Sequence, residues 1–178
     1  MSKADDFDWE RRTVPLVVQC LEDYFPGPKG RIRPAGSFAD QGHGVDFWWP
    51  RLGRTHGLAV RVRKAGFLKY KGDFTIREDR PRTGHRTELE KIRAGDWADF
   101  YVYAFSDGQQ ILHWSLFRMS AFDPDAPFRY MPGFGPRDGQ DAVTRIYRIT
   151  DQPKGFALVS VTPDAIPYAT DGNKRIVA

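Results

Sequence analysis

Residues 44–64, GVDFWWPRLGRTHGLAVRVRK, leave this chain little choice of local structure. A compact aromatic run, Val45–Trp49, gives way to a turn and then to a second apolar run, Leu58–Arg63, whose side chains alternate. At a period of two, Leu58, Val60 and Val62 fall on one side and Ala59, Arg61 and Arg63 on the other. Two strands are expected, one with Asp46 at its head and the other ending in Arg61, Arg63 and Lys64. The arginine side cannot be a dry core, because two unpaired guanidiniums cost too much to bury.

The rest of the chain alternates helical and extended signals. Leu16, Val17, Cys20, Leu21 and Tyr24 recur at spacings of three and four, which predicts a helix within 7–25 that ends at the PGPKG break. Pro15 favours a start near Thr13, with the proline in the first turn and with Trp9 and Glu10 in a preceding turn or kinked segment. Arg31–Ala35 reads as a short basic strand, and Phe67–Arg77 as extended chain around a Lys-Gly-Asp hairpin turn. After the polar loop 79–86, Thr87 and Glu90 form a capping box for a short helix closed by Gly95. Asp99–Phe105 is the best core strand, with Ile111–Phe117 as its antiparallel partner across the SDGQ turn. Beyond Phe122 a Pro- and Gly-rich connection leads to strands at Ala142–Ile149 and Phe156–Val161 and then to a tail at 169–178 expected to be mobile. The expected organisation is one domain, an α/β core over 1–122 with a β-rich C-terminal extension over 123–178 packed on it.

Composition narrows the chemistry. Cys20 is the only cysteine, which excludes an internal disulfide and a cysteine-based zinc cluster. No apolar run approaches the roughly 20 residues needed to cross a bilayer, and the mixed, acidic opening MSKADDFDWERR is no secretory signal. A cytoplasmic protein without a membrane partner is expected. Residues 51–93 hold 13 Lys/Arg against 5 Asp/Glu, although the whole chain is only +4. Such a concentrated basic segment on an acidic frame suits a phosphate-binding face.

The order helix, strand, Asp-bearing strand, basic strand, helix, strand over roughly residues 7–118 resembles the core of the PD-(D/E)XK superfamily, and within it the resolvase-like nucleases and their phage-borne relatives. The resemblance implies a restriction-endonuclease-like mixed sheet flanked by helices, with a magnesium ion held at a bend in the sheet. Asp46 matches the motif aspartate, with Val45 in place of the preceding proline. Arg61 stands where the family has a second acid and Arg63 where it has a lysine, while a one-residue shift gives Val62 and Lys64. Glu10 corresponds to the assisting glutamate of the first helix.

A catalytic reading therefore rests on Asp46, as metal ligand, with Arg61, Arg63, Lys64 and Glu10. It needs a second carboxylate from among Glu10, Asp73, Glu88 and Glu90. The rival reading pairs Asp46 with Arg61 or Arg63 across adjacent strands. Two arginines beside one carboxylate favour an anion there, so binding without cleavage is expected ahead of cutting. Lys69, Lys71, Arg77, Arg80 and Arg82 are the expected nucleic-acid contacts, with DNA ahead of RNA. Trp48 and Trp49 point to opposite faces of their strand, and core packing is expected for both. The four histidines show no zinc spacing, and the Met131–Pro136 run lacks the ending of a phosphate loop. The function expected is a phage- or mobile-element-type nucleic-acid-binding protein on a nuclease scaffold. The alternatives are a Mg- or Mn-dependent endonuclease with a migrated acid, and a protein-interaction module with a protein partner or as a homodimer.

Overall fold

The computed structural model describes residues 3–28, 30–36, 39, 42–51, 53–79, 86–133 and 142–163, with side chains from Asp8 onward. Arg80, Arg82, His85 and the expected tail at 169–178 lie outside the described residues. The chain is an α/β protein. Its first helix, α1, spans Lys3–Tyr24. Three antiparallel strands follow, β1 (Arg33–Pro34), β2 (Phe47–Arg51) and β3 (Arg54–Lys64). The chain then passes through a 3-10 helix, Ala65–Tyr70, into β4 (Asp73–Asp79) and a second helix, α2 (Glu88–Arg93). Strands β5 (Phe100–Ser106), β6 (Ile111–Arg118), β7 (Phe128–Tyr130), β8 (Val143–Arg148) and β9 (Ala157–Val161) complete it.

Two sheets result. The large one runs β1-β2-β3-β5-β6-β9 and the small one β4-β8-β7. Strand β5 lies parallel to β3, with Arg61 opposite Tyr103, and every other pairing is antiparallel. The residues after 122 form no layer of their own. Strands β7 and β8 join β4, and β9 becomes an outer strand of the large sheet.

The alternation along β3 and β5 divides the interior in two. Leu58, Val62, Val102 and Ala104 face α1, where Val17, Leu21, Trp49 and Trp114 fill the layer. Ala59, Tyr101, Tyr103 and Phe105 face the small sheet and its Phe74, Ile76 and Tyr147. Full burial of such side chains stabilises by about 1.5–3 kcal/mol each, so both layers contribute heavily. Trp49 is buried and Trp48 is 39% exposed, so the expectation of core packing holds for the first and fails for the second. Strand pleat forces the neighbours apart, and only one face of β2 has a layer over it.

Three expectations of local structure are corrected. Helix α1 does not start near Thr13 but continues through Pro15. Its N-terminal half is held by the sheet instead, since Trp9 Nε1 donates to the Val62 carbonyl at 3.3 Å and Thr13 is fully buried. That packing outweighs the donor lost at proline. Residues 67–71 are not a hairpin strand, because 65–70 wind into the 3-10 helix and β4 pairs with the distant β8. Finally, the arginine face of β3 is not open. Strand β4 and α2 cover it and supply the partners that make its burial tolerable. The capping box of α2 is as expected, with Glu90 and Thr87 bonded reciprocally and Gly95 at φ +75° just beyond the last turn.

Candidate functional site

The junction of α1, the β2–β3 pair, β4 and α2 encloses a cavity of about 460 Å³. Asp46 sits at its wall, immediately before β2, fixed by its own backbone N–H to the Leu58 carbonyl at 2.9 Å. Its Oδ2 accepts the N–H of Val60 at 2.6 Å, which pins the carboxylate to β3. From β3, Ala59, Val60 and Arg61 line the cavity. Glu10 enters from α1, Arg77 from β4 and Glu88 from the first position of α2.

Glu88 organises this polar centre. The Arg61 guanidinium donates to Glu88 Oε1, while Oε2 accepts the backbone N–H of Arg77 at 2.8 Å. The Arg77 guanidinium stands 3.7 Å from Oε1. Arg61 Nη1 also donates to Thr75 Oγ1 at 3.2 Å. Burial opposes the charge on Arg61, but the Glu88 carboxylate outweighs it and holds the guanidinium more firmly protonated than usual. Tyr101, whose hydroxyl donates to the Thr75 carbonyl at 3.1 Å, is pushed the other way by burial and keeps its proton far above the ordinary phenol range.

The expected site residues separate into three places. Asp46, Arg61 and Glu10 meet at the cavity, joined by Glu88 and by Arg77, which leaves the expected exposed basic wing. Arg63 shares the face of Arg61 but does not line the cavity, donating instead to Tyr103 Oη at 2.9 Å and Thr75 Oγ1 at 2.7 Å. Lys64, at the far end of β3, has its ammonium 5.4 Å from the Trp9 ring centroid. Lys69 and Lys71 lie beyond it, on and just after the 3-10 helix. Of the other acids considered, Asp73 pairs with Arg129 at 2.6 Å and Glu90 closes the capping box.

The cavity is therefore bordered by three carboxylates and two guanidiniums. The argument that two arginines beside one acid favour an anion does not carry over, because Arg63 is elsewhere and two further acids are present. Magnesium, which the resemblance implies, fits these donors poorly. Both Glu88 oxygens and one Asp46 oxygen are already used within the protein, and Ala59 offers no ligand. Among the described residues no group of three or more His, Cys, Asp or Glu side chains could hold a metal ion.

Sequence reasoning missed Thr75, the shared acceptor for both arginines, and Trp97, a cavity wall packed on Gly44. Thr75 carries no signal beyond its place in a strand. The Gly44–Trp97 contact joins residues far apart in sequence. No helix of the described residues is long and apolar enough to cross a membrane. No protein-family model, curated protein or solved structure matches this chain.

Proposed function

We propose that this chain is a nucleic-acid-binding protein of the phage or mobile-element type, built on a restriction-endonuclease-like scaffold that no longer cuts. The scaffold is supported by the order of elements. Helix α1, three antiparallel strands, a crossover carrying α2 and then β5 parallel to β3 follow the PD-(D/E)XK core that the sequence resembles. Loss of cutting rests on one observation. The β3 residues that reach the Asp46 cavity are Ala59, Val60 and Arg61, and none of them is an acid. The acid brought by α2, Glu88, is held by Arg61 and by the backbone of Arg77. With Glu88 committed to Arg61, the cavity is a structural relic. Nucleic acid is met by the exposed cations that remain in the basic segment 51–93, among them Lys69 and Lys71.

A metal-dependent endonuclease is the second reading, favoured by Glu10, Asp46 and Glu88 bordering the same cavity. It requires Glu88 to leave Arg61. Fluorescence anisotropy with single-stranded, duplex and branched DNA at several salt concentrations separates the readings when run beside cleavage assays with Mg²⁺ or Mn²⁺. Binding that falls steeply with salt, without cleavage, is the expected result. Cleavage abolished in Asp46→Asn, which keeps an acceptor for the Val60 N–H, would establish the enzyme instead. No binding at low salt would leave the protein-interaction module as the surviving account.

A further inference from the structure

The 3-10 helix Ala65–Tyr70 holds two large rings out of the protein. Phe67 is 47% and Tyr70 45% exposed, and no residue of this helix is buried. Leu68 is packed against the core between the sheets and anchors the segment. The backbone is fixed at the exit by Lys71 N–H to the Leu68 carbonyl at 3.1 Å and by Ile149 N–H to the Gly72 carbonyl at 2.9 Å. With three residues per turn, positions 67 and 70 eclipse on one side of the helix, about 6 Å apart along its axis. Exposing two rings on a hydrogen-bonded element sacrifices hydrophobic stabilisation that the fold could have collected by turning them inward.

Along the chain, the charge on either side of these rings has one sign. No Asp or Glu occurs between Asp46 and Asp73, whereas seven Lys or Arg do. Asp73 itself is engaged by Arg129. Among the described residues neither Lys69 nor Lys71 pairs with a carboxylate, and the Lys69 ammonium lies 5.0 Å from the Tyr70 ring centroid. Two rings on one side of a fixed turn, flanked by unmatched ammonium groups, complement a ligand that offers both flat faces and phosphates.

We propose that Phe67 and Tyr70, with Lys69 and Lys71, form a stacking platform for single-stranded nucleic acid. An unpaired strand presents its bases for stacking on the rings, while its phosphates meet the lysines. The rise of about 6 Å between positions 67 and 70 is close to twice the 3.4 Å rise per nucleotide, which suits one base between two side chains that project in parallel. A duplex hides its base faces and can use the lysines alone. The turn is ordered before binding, so little conformational entropy is lost on contact. This inference rests on the reading that the chain binds nucleic acid and names the form it takes.

The test uses the full chain with a fluorescein-labelled oligo(dT) 20-mer, a duplex of the same length, and a single strand carrying 2-aminopurine. Single strands should bind more tightly than duplex, and binding should quench the 2-aminopurine. Phe67→Ala with Tyr70→Ala should weaken single-strand binding by roughly 30-fold or more while leaving duplex binding nearly unchanged. Phe67→Tyr with Tyr70→Phe should restore it. Lys69→Gln with Lys71→Gln should flatten the single-strand dependence of log K on log salt by about 1.4. Circular dichroism and thermal melts confirm that the variants are folded. Unchanged single-strand affinity in the folded alanine variant overturns the platform while the broader nucleic-acid reading stands. Failure of every nucleic acid to bind overturns both. Binding to vesicles of anionic lipid that the alanine variant loses, with oligonucleotide binding untouched, assigns the rings to a membrane surface and overturns the proposal.

Discussion

Glu88 holds Arg61 on one carboxylate oxygen and the Arg77 backbone N–H on the other, so a single side chain from α2 ties β3 to β4 across the covered arginine face. Both partners are largely withdrawn from water, with side chains 11% and 20% exposed. Removing one member of such a pair leaves a buried charge uncompensated. Glu88→Ala is expected to destabilise the fold by about 3–5 kcal/mol, and Glu88→Gln by less because the amide oxygen still accepts. Urea unfolding checks this. A loss below about 1 kcal/mol in the alanine variant would show that water already satisfies Arg61.

Much of this arrangement was legible in residues 44–64, and the part that was not has a physical reason. The period of two placed Arg61 and Arg63 on one face and Leu58 and Val62 on the other, as β3 does. That pattern gives a side chain's direction but not what the chain later brings over it. Covering the arginines depends on β4 pairing with β8, a contact between residues about 70 apart, and on Glu88 arriving from a third element. Local signals were sound where the interaction is local, as in the Thr87–Glu90 capping box. They misled at Pro15, where packing of Trp9 and Thr13 decides the helix start. Residues 67–71 read as extended chain before a Lys-Gly-Asp turn, whereas 65–70 wind into a 3-10 helix anchored by Leu68.

Thr75 is the shared acceptor beneath the two arginines. Its Oγ1 takes Arg63 Nη2 at 2.7 Å and Arg61 Nη1 at 3.2 Å, and lies 3.3 Å from Tyr103 Oη. Thr75→Val preserves shape and strand preference while removing the only atom common to these contacts. We expect it to destabilise by about 1–3 kcal/mol, with Thr75→Ser close to wild type. In a double-mutant cycle with Arg63→Met, the Thr75→Val effect should shrink, because the donor it strands is gone. Equal effects in both backgrounds would mean that the hydroxyl does not serve Arg63.

His113 gives the fold a pH dependence of known sign. It is a buried residue of β6 that faces β9 and its exit, with Nδ1 3.0 Å from Thr162 Oγ1 and Nε2 3.2 Å from Ser160 Oγ. Burial, reinforced by the Lys71 ammonium, holds its imidazolium below the ordinary value of 6.5. Above that value both folded and unfolded chains carry a neutral ring, and its contribution is fully present. As pH falls through 6.5 the unfolded chain takes up the proton first, so stability is lost until the folded ring also titrates. NMR titration should place His113 below 6.5, and Lys71→Gln should move it upward. In His113→Asn the unfolding free energy should fall less between pH 6.5 and 5 than in wild type. Identical profiles would remove His113 as the source.

Gly44 and Trp97 form the wall of the Asp46 cavity, and they leave no space for a side chain at residue 44. The glycine has φ +61°, and an added Cβ would lie 2.1 Å from Trp97 Cζ3. Gly44→Ala therefore meets two obstacles, a left-handed backbone that costs an L-residue about 1–2 kcal/mol and an overlap that costs about 1–3 kcal/mol more. At roughly 2–4 °C per kcal/mol for a chain of this size, the melting temperature should fall by about 4–20 °C. Trp97→Leu removes the ring that the new methyl would strike but leaves the backbone conformation as it is. The double variant should thus be less destabilised than the sum of the singles, by the steric part alone. Strict additivity would mean that Trp97 yields freely and that only the backbone angle requires glycine at this wall.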